Sequence, residues 1–322
     1  MKRFFSSDSF WNQPLAADPA VDPRSDAFLQ MLAGDCGGPF KLNTRTWTVP
    51  LFEVDERTPR RTVHQRRYEA TMRNVRSWGH RENFWGHGPG FGRDVPIPDH
   101  AAPDPEEDGH LALVDWTRGL VWDMWGCRRR SDGEWESNTG MLYSAYGSGV
   151  WKTADFPVKN GESIHFHGPG RASGVPVVAG LVRREEILSG EIHHKLAMAT
   201  WHNAYRQYVF PAAWTDGFRD GGLPEGAVLQ LNPALNPADY GLSAAAACIA
   251  RAMQRYGMVN VDNAGANAVY VEQLEVHGLS WDGILNDDDL KRIPLSQYRV
   301  LKLGEIHGMG DVWHREEQGL KP

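Results

Sequence analysis

The sequence predicts an α+β fold that is mostly β: an antiparallel β-sandwich, jelly-roll-like, with two or three peripheral helices. Three observations predict it. Short runs rich in β-branched and aromatic residues recur between Gly, Pro, Asn and Asp turn signals along most of the chain. One pair of such runs alternates with period two around a short turn. Only a few stretches carry helical caps and propensity, and they are scattered among the strands. No composition break divides the 322 residues, so residues 1–322 are read as one domain.

Residues 1–24 read as an extended arm. PRSDAFLQMLAG predicts a short helix capped by Ser25 and ended by Gly34. KLNTRTWTVPLFEVDE reads as extended chain interrupted by Pro50, and RRTVHQRRY as a further strand. Residues 83–107 form a long Gly/Pro loop; its Phe84, Trp85 and Phe91 make it an ordered cover for a cleft rather than a linker. HLALVD and LVWDMWG flank WTRG, a hairpin whose turn ends at Gly119. On its second arm Val121, Asp123 and Trp125 share one face, and Trp122 and Met124 the other.

VPVVAGLV and KLAMATW are short strands or buried segments, with RREEILSG a helical excursion between them. LSAAAACIARAMQRYG is the strongest helix. Ser243 stands at its N-cap, the Ala-rich interior has high propensity, and Gly257 occupies the place of a C′ glycine. MVNVDNAGANAVYVEQL predicts two strands joined at Asn263-Ala264-Gly265.

Composition narrows the function classes. A net charge of −7 argues against nucleic acid, which needs a basic face. No apolar run approaches the roughly 18 residues of a membrane span, so no membrane partner is expected. Cys36, Cys127 and Cys248 are too few and too widely spaced for a disulfide framework or a cysteine zinc site. MKRFF is followed at once by SSDS, without an apolar leader core, so the chain as written reads as cytoplasmic. The 13 Trp residues suit a core, and they also suit stacking on sugar rings. The composition leaves the oligomeric state open.

HGPG occurs twice, beginning at His87 and at His167. The flanks do not align, so the copies are Pro-Gly turns rather than an internal repeat. The second follows His165 on a probable strand, an H-x-H that puts two imidazoles on one face. With His110, His165 and His167 would supply a metal site of cupin-like type. No matching acidic ligand follows, so no cofactor is the primary expectation and a divalent metal the alternative. There is no G-x-S-x-G elbow and no P-loop.

Acid–base chemistry is best supplied. Asp108 and His110 open the hairpin, Asp123 lies among indoles on its second arm, and Asp262 ends a strand. Carboxylates of unequal proton affinity in one desolvated cleft cleave glycosidic bonds by hydrolysis. A lyase would instead neutralise a sugar carboxylate with a residue such as Arg171, and move protons through His194 or Tyr143.

FSSDSFWNQPL, DGHLALVD with LVWDMW, SGVPVVAGLVRREEILSGEIHHKLAMA, LPEGAVLQLNP and IARAMQRYGMVNVDNAGANAVYVE occur here in that order. From about Phe5 to about Leu301 the chain thereby resembles a family of β-rich bacterial proteins, mostly secreted, some attached to carbohydrate-binding modules. The resemblance brings no activity with it but implies secretion and a glycan partner. It marks Asp108 and His110, Asp123 where relatives tend to carry Glu, His194 and Asp262. HFHGPGRASG departs from the family's pattern, which assigns His165 and His167 to this protein's own substrate.

The expected protein is thus a glycan-active enzyme, a glycoside hydrolase or polysaccharide lyase, acting on an oligo- or polysaccharide. Its expected catalytic residues are Asp108, His110, Asp123, His194 and Asp262. Trp85, Trp122, Trp125, Tyr143, His167 and Arg171 are expected to bind substrate. The alternatives are the histidine-based metalloenzyme and a non-catalytic carbohydrate-binding protein.

Overall fold

The period-two hairpin forms as predicted. In the computed structural model, which describes residues 2–66, 86–88, 90–152, 155 and 169–308, Leu111–Asp115 pairs antiparallel with Leu120–Trp125, Leu113 opposite Trp122. The chain is mostly β, built from several mixed sheets with few helices, and no barrel closes among the described residues.

Two sheets carry the architecture. The six-stranded one runs in the order Lys41–Asn43, Ala268–Tyr270, Leu196–Thr200, Met258–Asn263, Val228–Leu231, Tyr298–Val300. The five-stranded one runs Thr139–Ser144, Leu120–Trp125, Leu111–Asp115, Val49–Glu53, Glu272–Gln273. Three apolar layers follow from this. Between the sheets lie Val49, Leu51, Ala112, Val114 and Val121 of one against Ala197, Ala199, Val259, Val261 and Tyr270 of the other. Residues Val175 to Leu181, predicted as a strand or buried segment, run through this layer as buried irregular chain. Burying each such aliphatic side chain contributes roughly 1.5–3 kcal/mol, so this layer holds the sandwich together.

The helices cover the far face of the six-stranded sheet. Ser25–Leu32, Arg184–Ser189 and Ala244–Arg255 are the described α-helices. In Ala244–Arg255, Ala246, Ile249, Ala250 and Met253 recur at three- and four-residue spacing and pack on Leu229, Leu231 and Met258. Ser243 caps it by accepting from the Ala246 amide, and Gly257 follows at φ +81°. Ser25 is not a cap. It lies inside its helix, and its hydroxyl accepts from the Val300 amide, tying the helix to an edge strand.

Two expectations are corrected. Both large sheets contain parallel pairs, Lys41–Asn43 with Ala268–Tyr270, Leu196–Thr200 with Met258–Asn263, and Val49–Glu53 with its neighbours on both sides, so the sandwich is mixed rather than antiparallel. Met258–Asn263 and Ala268–Tyr270 do not form a hairpin; Leu196–Thr200 inserts between them and pairs with both. That central strand is buried along its whole length; Met198 and Ala199 pair on both edges, and the Ala197 amide donates to the Gly180 carbonyl instead.

The described part of the Gly/Pro loop packs on the outer face of the five-stranded sheet. Phe91, Val95 and Ile97 join Trp122 and Met124 there, and Phe91 fills the space over Gly140. The N-terminal arm docks by its aromatic residues: Phe4, Phe5 and Trp11 are buried in the inter-sheet layer. Asn12 donates from one amide to the carbonyls of Phe4, Phe5 and Ser6, and the Lys195 ammonium donates to those of Phe10 and Gln13. No described helix is long and apolar enough to cross a membrane.

Candidate active site

Asp123 organises one end of the inter-sheet layer. It is fully buried and accepts three hydrogen bonds, from Tyr143 Oη at 2.8 Å, the Gly170 amide at 2.6 Å and the Val177 amide at 2.7 Å. The two amides pin the segment between them against the sheet. Only glycine fits at position 170, because a Cβ there would lie 2.8 Å from Asp123 Oδ1. Burial pushes the Asp123 carboxyl up to about 6 in spite of those hydrogen bonds and of Arg171 nearby.

The pinned segment delivers Arg171 into the interior. Its guanidinium lies 3.7 Å from the centroid of the Tyr270 ring, and Nη2 donates to the Val177 carbonyl at 3.0 Å. Nη1 stands 3.9 Å from Asp262 Oδ2, and neither Nε nor Nη1 makes a hydrogen bond. A fully buried cation in that state is held by the field of surrounding carboxylates rather than by one ideal partner.

Those carboxylates converge from two strands and an irregular segment. Against Leu196–Thr200, the Met258–Asn263 strand carries one extra residue: Met198 faces Asn260 and Ala199 faces Asp262, leaving Val261 as a bulge. A bulge re-aims the side chains that follow it. Val261 stays in the apolar layer, and Asp262 reaches Arg171. Asn263 donates to Asp216 Oδ1, and Asn203 donates to the Asp262 carbonyl, Asn263 Oδ1 and Glu225 Oε1. Oxygens of Asp216, Glu225 and Asp262 thus lie within 4.8 Å of one another.

Burial raises all three, and repulsion from neighbouring carboxylates, Asp108 among them, adds to it. Asp216 is pushed up to about 6; Glu225 and Asp262 rise well above the carboxylate range, Asp216 adding repulsion to both. The group therefore releases its protons at higher pH than ordinary carboxyls do. Its oxygens are also a donor set that a hard divalent cation accepts. Among the described residues no other group of potential metal donors comes this close, and it contains no histidine.

His110 behaves oppositely. It is buried at the start of its strand, and neither ring nitrogen makes a hydrogen bond of normal geometry. Loss of water pushes its pKa down to about 4, Asp108 opposing and Arg171 reinforcing the shift. Asp108, half-buried beside it, accepts from Trp125 Nε1 at 3.2 Å.

Of the expected residues, Asp108, His110, Asp123, Asp262, Arg171, Tyr143 and Trp125 therefore share one electrostatically linked group. Trp122 points to the opposite face of its sheet. His194 stands apart, its ring bonded to Glu186 at 3.0 Å and to the Lys195 carbonyl at 2.7 Å. Trp85, His165 and His167 lie outside the described residues. Asp216, Glu225, Asn203 and Tyr270 are the members that sequence reading missed. Glu225 sits in LPEGAV and Asp216 in WTDGF, each a single acid beside a glycine, so no local pattern marks them as ionisable partners.

The His194 pair has a structural explanation. Glu186 is held down to about 2: despite its burial, His194 and then Arg183 lower it. A depressed carboxylate stabilises the fold above its unfolded pKa and loses that contribution as pH falls towards its folded one. His194→Ala is expected to cost about 1–3 kcal/mol in urea unfolding, since Glu186 keeps Arg183. A fall in turnover larger than the loss of folded protein would place His194 in the chemistry instead.

Comparison of the chain with protein-family models, with curated proteins and with solved structures finds no match.

Proposed function

We propose that the chain is a glycan-active enzyme that cleaves a glycosidic bond by acid–base chemistry at the Asp262 group, on a sandwich whose chain path is jelly-roll-like. One observation carries the reading: an imidazole held neutral and carboxyls of raised proton affinity are gathered from distant segments around the same cation. Asp108 and Arg171 act electrostatically on both His110 and Asp262. His110 keeps a free lone pair to accept a proton, and Asp262 keeps a proton to donate to a leaving oxygen. Environments that push two groups apart in this way are how acid and base roles are divided. Asp123 with Tyr143 holds the Arg171 segment in place. Partly exposed indoles near the group, Trp125 and Trp201, favour a sugar ring over other flat or polar ligands.

The test is a panel of neutral and acidic polysaccharides, assayed for new reducing ends and for absorbance of a C4=C5 double bond. Reducing ends alone indicate hydrolysis; both together indicate elimination. No product from any polymer, with saturable quenching of Trp fluorescence, would make the protein a carbohydrate-binding one. Loss of turnover on chelation, restored by a divalent cation, would favour a metal-assisted route through Asp216, Glu225 and Asp262 over proton transfer alone.

A further inference from the structure

Beside the carboxylate group stands a cationic aromatic cluster. Trp201 follows directly on Thr200, whose backbone is registered with Asn263, and Phe218 lies two residues beyond Asp216. The two rings meet edge to face with centroids 4.8 Å apart. The Arg219 guanidinium stands 5.4 Å from the Trp201 ring and 5.1 Å from the Phe218 ring. All three side chains are half-buried, and no apolar core includes them.

The position of the cluster follows from backbone pairing. The Arg219 amide donates to the Asn203 carbonyl, and Ala204 bridges to Arg219. Asn203 is the residue whose side chain holds Asp262, Asn263 and Glu225 together. The cluster and the carboxylates therefore hang on the same two backbone segments.

Arg219 is unusual in its partners. Among the described residues its side chain makes no hydrogen bond and no ion pair, and its Nε is buried without a partner. Contact with two aromatic faces orients the guanidinium while leaving its fork of N–H groups unused. An unpaired, oriented guanidinium matches a carboxylate, which it binds through two parallel hydrogen bonds. Aromatic rings at the same place match the apolar face of a pyranose.

We propose that Trp201, Phe218 and Arg219 form a binding subsite for an acidic sugar, a pyranose bearing a carboxylate, in the glycan cleaved at the Asp262 group. The subsite rests on the glycan-cleaving reading and assigns it a substrate class. The rings hold the sugar, and Arg219 selects the charged form.

Polygalacturonate, alginate and hyaluronan, each beside its carboxyl-reduced counterpart, test it with the wild type, Trp201→Ala, Arg219→Gln and Arg219→Lys. The wild type is expected to favour one charged polymer over its reduced form by about tenfold or more in kcat/KM, the scale of one charge-assisted contact. Arg219→Gln is expected to remove that preference through KM with kcat little changed, Arg219→Lys to keep part of it, and Trp201→Ala to raise KM on both forms. Thermal unfolding of each variant separates a binding loss from misfolding. Equal cleavage of charged and reduced polymers, unchanged in Arg219→Gln, would overturn the subsite and leave glycan cleavage standing. Trp quenching by a polyuronate that needs Arg219, without any cleavage, would keep the subsite and overturn the enzyme. Neither cleavage nor quenching would overturn both.

Discussion

Asp262→Asn is expected to lose turnover by about 10²–10⁴-fold, the usual contribution of a positioned general acid, and to gain stability as pH rises. The carboxyl of Asp262 is raised well above its ordinary value, first by burial and then by Asp216 and Asp108. The folded chain therefore holds a proton that the unfolded chain has already released. Between the two pKa values the folded state binds more protons, so stability falls as pH rises, by up to about 1.4 kcal/mol per pH unit for one group. Asn has the shape of the protonated carboxyl and does not titrate. The variant should match the wild type in mildly acidic buffer and exceed it in alkaline buffer. Urea unfolding across that range checks the sign; a variant uniformly less stable than the wild type would mean that Asp262 is ionised and held by Arg171.

Arg171→Met is expected to cause the largest loss of stability, about 3–5 kcal/mol, the range for leaving a buried carboxylate, here Asp123, without its cation. Arg171 is the cation that lowers the proton affinity of both Asp123 and Asp262. Without it those carboxyls rise further, and ionising them in the folded state costs more. The loss should therefore grow from mildly acidic to alkaline pH. Arg171→Lys keeps the charge but loses the flat contact with Tyr270 and the bond to the Val177 carbonyl, so it should fall between. A loss equal at both ends of the pH range would show that Arg171 acts by packing alone.

Parts of the fold are legible locally. The hairpin from Leu111 to Trp125 shows in the sequence because its alternation and its turn lie within one short stretch, and burial on both faces follows the pleat. The helix Ala244–Arg255 shows for a similar reason: cap, propensity and terminator are all local signals. Strand order does not show. Nothing in KLAMATW indicates that it inserts between two strands that follow one another some sixty residues later. Backbone pairing is made through hydrogen bonds common to every residue, so partner choice depends on what the whole chain buries.

The site divides along the same line. Asp123 and Asp262 stand out in the sequence as carboxylates on apolar strands, while Asp108, His110 and Arg171 stand beside turn glycines at the ends of such runs. Their meeting, and the part played by Asp216 and Glu225, come from a bulge at Val261 and a pinned segment at Gly170. The sequence by itself determined the residue types and local elements, because propensity and periodicity act within a few residues. The tertiary structure decided which carboxyls are raised together and which histidine stays neutral, because proton affinity depends on burial and on the charges that distant segments bring near.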